Sequence, residues 1–165
     1  MHPNAELLQT FYTCFQARDH AGMAPCYHRE ARFSDPVFTD LKGWHAPAMW
    51  RMLCERGKDL DLTFSGVEAN DDTGAARWEA KYTFSATGNK VHNIITARFT
   101  FRDGLIHTHN DSFDLYRWAT QALGLKGRLI GWLPPVQNAI RKQAMGGLTS
   151  YIAKHDLSEA DFFSA

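Results

Sequence analysis

The 165-residue sequence has little that would commit it to a special environment. It has no net charge, with 18 Lys+Arg against 18 Asp+Glu, so it shows neither the basic footprint of a nucleic-acid binder nor the bias of an acidic tail. No stretch approaches the ~20 apolar residues that a membrane span needs, and the N-terminal MHPNAELLQTFYTCF has neither a basic leader nor a long apolar core. A cytoplasmic protein is expected. Only three cysteines occur, Cys14, Cys26 and Cys54, and they form no C-x-x-C or Cys/His zinc spacing, so buried thiols in a reducing compartment are expected. Walker, G-x-G-x-x-G and G-x-S-x-G motifs are absent, which disfavours nucleotide-dependent transfer and serine hydrolysis.

What is present suits one packed domain: 44% hydrophobic and 13% aromatic residues. Asn4 precedes an apolar-periodic stretch containing Leu7, Leu8, Phe11, Cys14 and Phe15, which predicts a helix capped by Asn4 and ending near Arg18. A second helix is expected over 21–27, a short strand over 31–34 ending at Asp35-Pro36, and a third helix over 44–56. From Leu60 the apolar period becomes two, predicting strands at 60–70, 75–87, 90–102 and 105–116 separated by glycine-containing turns. Trp78, Ala80, Tyr82 and Phe84 alternate with Arg77, Glu79, Lys81 and Thr83, as in an antiparallel sheet packed on one face. Helices followed by consecutive hairpins make an α+β domain whose sheet curls around the helices.

Residues 117–155 contain six basic residues and no acid, whereas residues 1–116 hold twelve basic and fifteen acidic residues. A helix is expected over 135–155, with proline tolerated in its first turn. This basic segment suits docking on its own domain, docking across a dimer, or contact with an anionic surface.

Two places could carry chemistry. Asp35, beside a tight turn and among Phe33, Val37 and Phe38, could be a general base with a raised pKa, or only a turn former. His107-x-His109-x-Asp111 would place three polar side chains on one strand face, where His109 and Asp111 could form an acid/base pair. The same spacing could offer three metal ligands, but no further ligand is placed, so no metal is assigned. The plainer reading leaves His107 on the surface and His109 as a hydrogen-bonded core residue. Tyr12, Trp44, Trp50, Trp78, Tyr82 and Phe113 are candidate walls of a pocket for a flat hydrophobic or cyclic ligand, with ordinary core packing as the alternative.

Taken together, Gln16-Ala17-Arg18-Asp19-His20-Ala21-Gly22, then Phe33-Ser34-Asp35-Pro36-Val37, then Gly43, resemble the nuclear transport factor two-like superfamily, especially ketosteroid isomerases and SnoaL-like polyketide cyclases. The resemblance covers roughly residues 5–116. It implies a cone-shaped, curved antiparallel sheet wrapped around N-terminal helices (a cystatin-like α+β roll), with residues 117–165 as a helical C-terminal extension, and it implies a homodimer. Asp35 matches the isomerase base. The positions of the two isomerase oxyanion donors are taken by Phe11, with Tyr12 adjacent, and Ala97, which argues against steroid isomerase activity. His109, Asp111 and Asn93 make the same face more polar. The expected function is a cofactor-independent acid/base enzyme acting on a small, largely apolar cyclic or carbonyl compound, through Asp35, His109 and Asp111. Tyr12, Trp50, Trp78, Tyr82, Asn93 and Phe113 would hold the ligand. The alternative is a non-catalytic module that binds a small hydrophobic ligand.

Overall fold

Helix α1 (Pro3–Gln16) buries Leu8, Phe11, Tyr12 and Phe15 along one stripe. In the computed structural model, which describes residues 1–164, its cap is His2 rather than the expected Asn4. His2 Nδ1 accepts the Asn4 amide at 3.0 Å. The buried Asn4 side chain donates instead to the carbonyls of Asn70 and Asp71, at 3.0 and 3.3 Å. Those turn carbonyls lie against the helix and need a donor, so a tertiary demand overrides the local cap.

Helix α2 is only His20–Met23, capped by Asp19. Pro25 lacks an amide hydrogen, and the chain passes through a single 3-10 turn before Tyr27 opens strand β1 (Tyr27–Ser34). The helix expected over 21–27 is therefore cut short, and Tyr27 lies on the sheet. A two-residue strand β2 (Leu41–Lys42) leads into α3 (His45–Arg56). Strands β3 (Asp61–Ala69), β4 (Thr73–Phe84), β5 (Asn89–Arg102) and β6 (Leu105–Ser112) follow as hairpins. Asp103 and Gly104 both have positive φ, +54° and +72°, as a tight primed turn between twisted strands requires.

The sheet order is β2-β1-β6-β5-β4-β3. All pairings are antiparallel except β1 with β6, which brings the Asp35 end of β1 alongside the His109–Asp111 stretch of β6. The packed face presents Ala76, Trp78, Ala80, Asn93, Ile95, Ala97, Phe99, His109 and Asp111, all buried, toward the helices. Phe11 is fully buried among Tyr12, Tyr27, Trp50 and His109. Burial of such a side chain contributes roughly 1.5–3 kcal/mol.

Regular alternation fails in β6 at a position that bears on the candidate site. Thr100 pairs with Thr108 but Phe101 pairs with Ile106, so His107 is an extra residue in β6. Ile106 and His109 are both buried, and the half-exposed His107 packs edge-on against His28 at 5.9 Å. The expectation that His107 shares a face with His109 and Asp111 is therefore corrected. A bulge reverses the parity of the strand.

Strand β6 also stops earlier than expected. Asp114 caps a new helix α4 (Leu115–Ala122) by accepting the Arg117 amide at 3.0 Å, so Tyr116 is helical. Thr87 and Asn89 of the β4–β5 hairpin donate to the Ala122 carbonyl at 2.6 and 3.0 Å, closing the other end of the helix. Helix α5 (Leu125–Ile130) then folds back on α4, and the long α6 (Pro134–Lys154) crosses to α3, burying Leu148 and Tyr151. The Tyr151 hydroxyl bonds to Glu55 of α3. Arg141 Nε donates to the Pro36 carbonyl at 2.8 Å.

Candidate functional site

The Asp35 turn is built locally. Pro36 cannot donate a backbone bond, and the Asp35 side chain closes the turn: Oδ1 accepts the amides of Val37 and Phe38 at 2.7 and 2.6 Å. The turn-forming reading and the carboxylate-in-a-pocket reading both hold, because Asp35 also lines a cavity of about 570 Å³. Burial pushes its carboxyl up to about 7. The two amide bonds oppose that shift and the charge of Asp111 adds to it.

Asp111 lines the same cavity from β6. Its Oδ1 is 2.9 Å from His109 Nε2, whose Nδ1 is 2.7 Å from the Tyr27 hydroxyl; Tyr27 in turn lies 2.8 Å from Trp50 Nε1. The direction of this chain follows from counting hydrogens. An indole only donates, so the tyrosine oxygen accepts from Trp50, and with His109 Nδ1 the acceptor within reach the hydroxyl hydrogen is assigned to that bond. His109 then carries its hydrogen on Nε2 and donates to Asp111. Among the described residues, the other Asp111 oxygen, Oδ2, is buried without a partner, as is the indole nitrogen of Trp78.

His109 is completely buried, with the rings of Phe33 and Phe99 at 4.9 and 4.3 Å, and it does not line the cavity. It stands behind Asp111. Tyr12 is also behind the wall, stacked on Phe64 at 5.3 Å. Trp50, Trp78, Tyr82, Asn93 and Phe113 all line the cavity. Trp44 instead stacks on Phe162 at 5.9 Å.

Several lining residues escape a reading of the sequence. Tyr82 accepts a bond from Trp118 Nε1 at 2.8 Å, so α4 contributes an aromatic wall. From α6 come Ile140, Ala144 and Gly147, together with Gln143. Their i, i+4, i+7 spacing was a visible signal of one helical face, but nothing local says which surface that face covers. Tyr27 had no signal at all, since its role depends on β1 lying beside β6. The three thiols are no nucleophiles here, as burial pushes Cys26 up to about 12 and Cys54 up to about 11 and raises Cys14 as well.

The arrangement is a largely apolar chamber with one carboxyl raised to about 7, a second carboxyl group held from behind by His109, and the side-chain amide of Asn93 on its wall. Comparison with known proteins agrees with this architecture. No curated protein matches the chain. Among solved structures, a protein described as a SnoaL-like polyketide cyclase from Jannaschia sp. CCS1 is 15% identical with a TM-score of 0.65, the alignment covering 74% of this chain and 92% of that one. A protein with a ketosteroid isomerase-like fold from Catenulispora acidiphila DSM 44928, in complex with trimethylamine, is 11% identical with a TM-score of 0.64, covering 81% and 100%. TerC, co-crystallised with polyporic acid, is 20% identical with a TM-score of 0.57, covering 68% and 92%. The SnoaL-like domain family matches residues 8–109, more than half of the sequence, from within α1 to His109, so the chain belongs to that family and has its nuclear transport factor two-like fold.

Proposed function

We propose that this chain is a cofactor-independent acid/base enzyme of the isomerase, cyclase or lyase kind, acting on a small, largely apolar cyclic or carbonyl compound. The observation that carries the reading is Asp35: a carboxyl raised to about 7, on the wall of an aromatic cavity, with one oxygen held by two backbone amides. A base with a pKa near the working pH is about half ionised and still basic enough to take a proton from carbon.

With a carbonyl compound in the cavity, Asp35 removes a proton from the carbon next to the carbonyl. The electron pair moves to the carbonyl oxygen, where the Asn93 amide can donate an N–H bond to the developing charge. The proton returns from Asp35 to another carbon in an isomerisation; in a cyclisation the enolate carbon attacks a second carbonyl carbon, the C=O electron pair moves to that oxygen, and the resulting alkoxide takes the proton from Asp35. Asp111 faces the same space, and His109, Tyr27 and Trp50 act through it as positioning residues. A steroid isomerase is not proposed, because Phe11 and Ala97, at the two donor positions, are apolar and fully buried. Two structural neighbours were crystallised with small molecules, polyporic acid and trimethylamine, which suits a cavity used for binding.

A second reading is a binding module. It is favoured by the fact that both nitrogens of His109 are committed to the core, which leaves a single mobile proton at the wall. Solvent-deuterium incorporation next to the carbonyl, followed by NMR over a panel of hydrophobic cyclic ketones, tests the two. Exchange catalysed by the protein and abolished in Asp35→Asn supports the enzyme. Tight binding by both proteins with no exchange and no turnover on any compound leaves the module.

A further inference from the structure

Of the large apolar side chains most exposed in the described residues, three fall within eight positions: Leu125, Leu129 and Trp132, at 69%, 65% and 59% exposure. Their exposure is enforced by packing. Gly127 on α5 is buried against α4, and a Cβ there would lie 1.9 Å from the Ala119 carbonyl oxygen, so that face of α5 has no room for any side chain. Leu125 and Leu129, two positions to either side of Gly127, lie about 200° around the helix from it and are held outward. The Tyr116 hydroxyl bonds the Arg128 carbonyl at 2.9 Å, and the Trp132 indole bonds the Leu129 carbonyl at 3.2 Å, so the element cannot roll to hide them.

The surroundings say what such a face suits. Lys126 and Arg128 alternate with the leucines and are exposed, and residues 117–155 contain six basic residues and no acid, while residues 1–116 carry an acidic excess of three. A second copy of the same basic face would be repelled. An anionic bilayer is attracted, and leucine and tryptophan side chains flanked by Lys and Arg are the residues that settle at its headgroup level. The chain segments on either side of this face reach the cavity. Leu123, two residues before α5, and Ile140 of α6 both line it.

We propose that α5 and the turn to Trp132 dock this protein on an anionic lipid bilayer, with the cavity taking its ligand from the hydrophobic compounds dissolved in that bilayer. The docking stands independently of catalysis. Only the statement about the ligand rests on the proposed function, and it names the source of that substrate.

The test is flotation of the full chain with vesicles of phosphatidylcholine alone or with one-third phosphatidylglycerol, at low and high salt. The expected result is binding to the anionic vesicles, at least about tenfold weaker on neutral vesicles and in high salt. K126E/R128E and L129A/W132A should each lower it by about tenfold or more while their melting curves stay close to the parent. Absence of binding to anionic vesicles at low salt overturns the proposal. So does a parent that is a concentration-dependent dimer and becomes a monomer in L129A/W132A without binding vesicles, which assigns the face to a second copy. Asp35→Asn is expected to bind vesicles like the parent, so a failure of the catalytic reading shows separately.

Discussion

Arg141 on α6 donates from Nε to the carbonyl of Pro36 at 2.8 Å, so the C-terminal helix is bonded to the turn that holds Asp35. Helix α6 is thereby part of the cavity's roof rather than an appendage. A charge-assisted bond at a partly exposed place contributes about 1–1.5 kcal/mol. Arg141→Ala should therefore speed amide hydrogen exchange over 134–147 by about tenfold, while exchange in β4 and β5 stays unchanged; mass spectrometry of peptic fragments reads both.

As the proposed base, Asp35 links pH to activity and to stability in opposite directions. Its folded value of about 7 exceeds its ordinary 3.8, so the folded state holds a proton that the unfolded chain has already released between those values. Stability from this group is full below about pH 4 and is lost as pH rises toward 7, whereas a base must be ionised and gains activity over the upper part of that range. Thermal melts should show Asp35→Asn more stable than the parent at pH 8, with the gap narrowing steadily as pH falls and closing near pH 4. Turnover in the parent should rise through about pH 7, and the asparagine variant should lose about 10²–10⁴-fold at the plateau.

The Tyr27 hydroxyl serves two partners at once. Tyr27→Phe leaves the Trp50 indole N–H and His109 Nδ1 buried without partners, each worth about 1–3 kcal/mol when orphaned. Urea denaturation should show a loss of at least about 2 kcal/mol. If Tyr27 were only a filler of space, the change would be a few tenths.

Gly127→Ala puts a methyl group into the carbonyl of Ala119. Backbone cannot yield there as a flexible side chain could, so α5 must lift from α4. A loss of about 1–3 kcal/mol in chemical denaturation is expected, together with faster exchange of the α5 amides.

Much of the molecule is written in local pattern. Period-two alternation from Leu60 onward locates β3 to β6 within a few residues, because a sheet with one packed face imposes that period directly on the chain. Asp35 before Pro36 was legible as the end of a strand and as a carboxylate set among apolar side chains, since proline's geometry and the neighbouring residues are both local. Trp78, Tyr82 and Asn93, which line the cavity, share that packed face, whereas Trp50 and Phe113 were candidates only as aromatic side chains.

The rest was decided by contacts between distant segments. Asn4 lost its cap because two turn carbonyls at Asn70 and Asp71 needed a donor. The extra residue at His107 shifted β6 by one, and a shift of one reverses every side chain beyond it. His109 went behind Asp111 and Tyr27 joined it, because β1 runs parallel to β6 and no sequence spacing encodes that neighbour. Residue types and periods along the chain thus determined which elements form and which faces are apolar. The identity of the groups that meet the cavity was settled only by tertiary structure, since hydrogen-bond partners and burial belong to pairs of segments and not to either one alone.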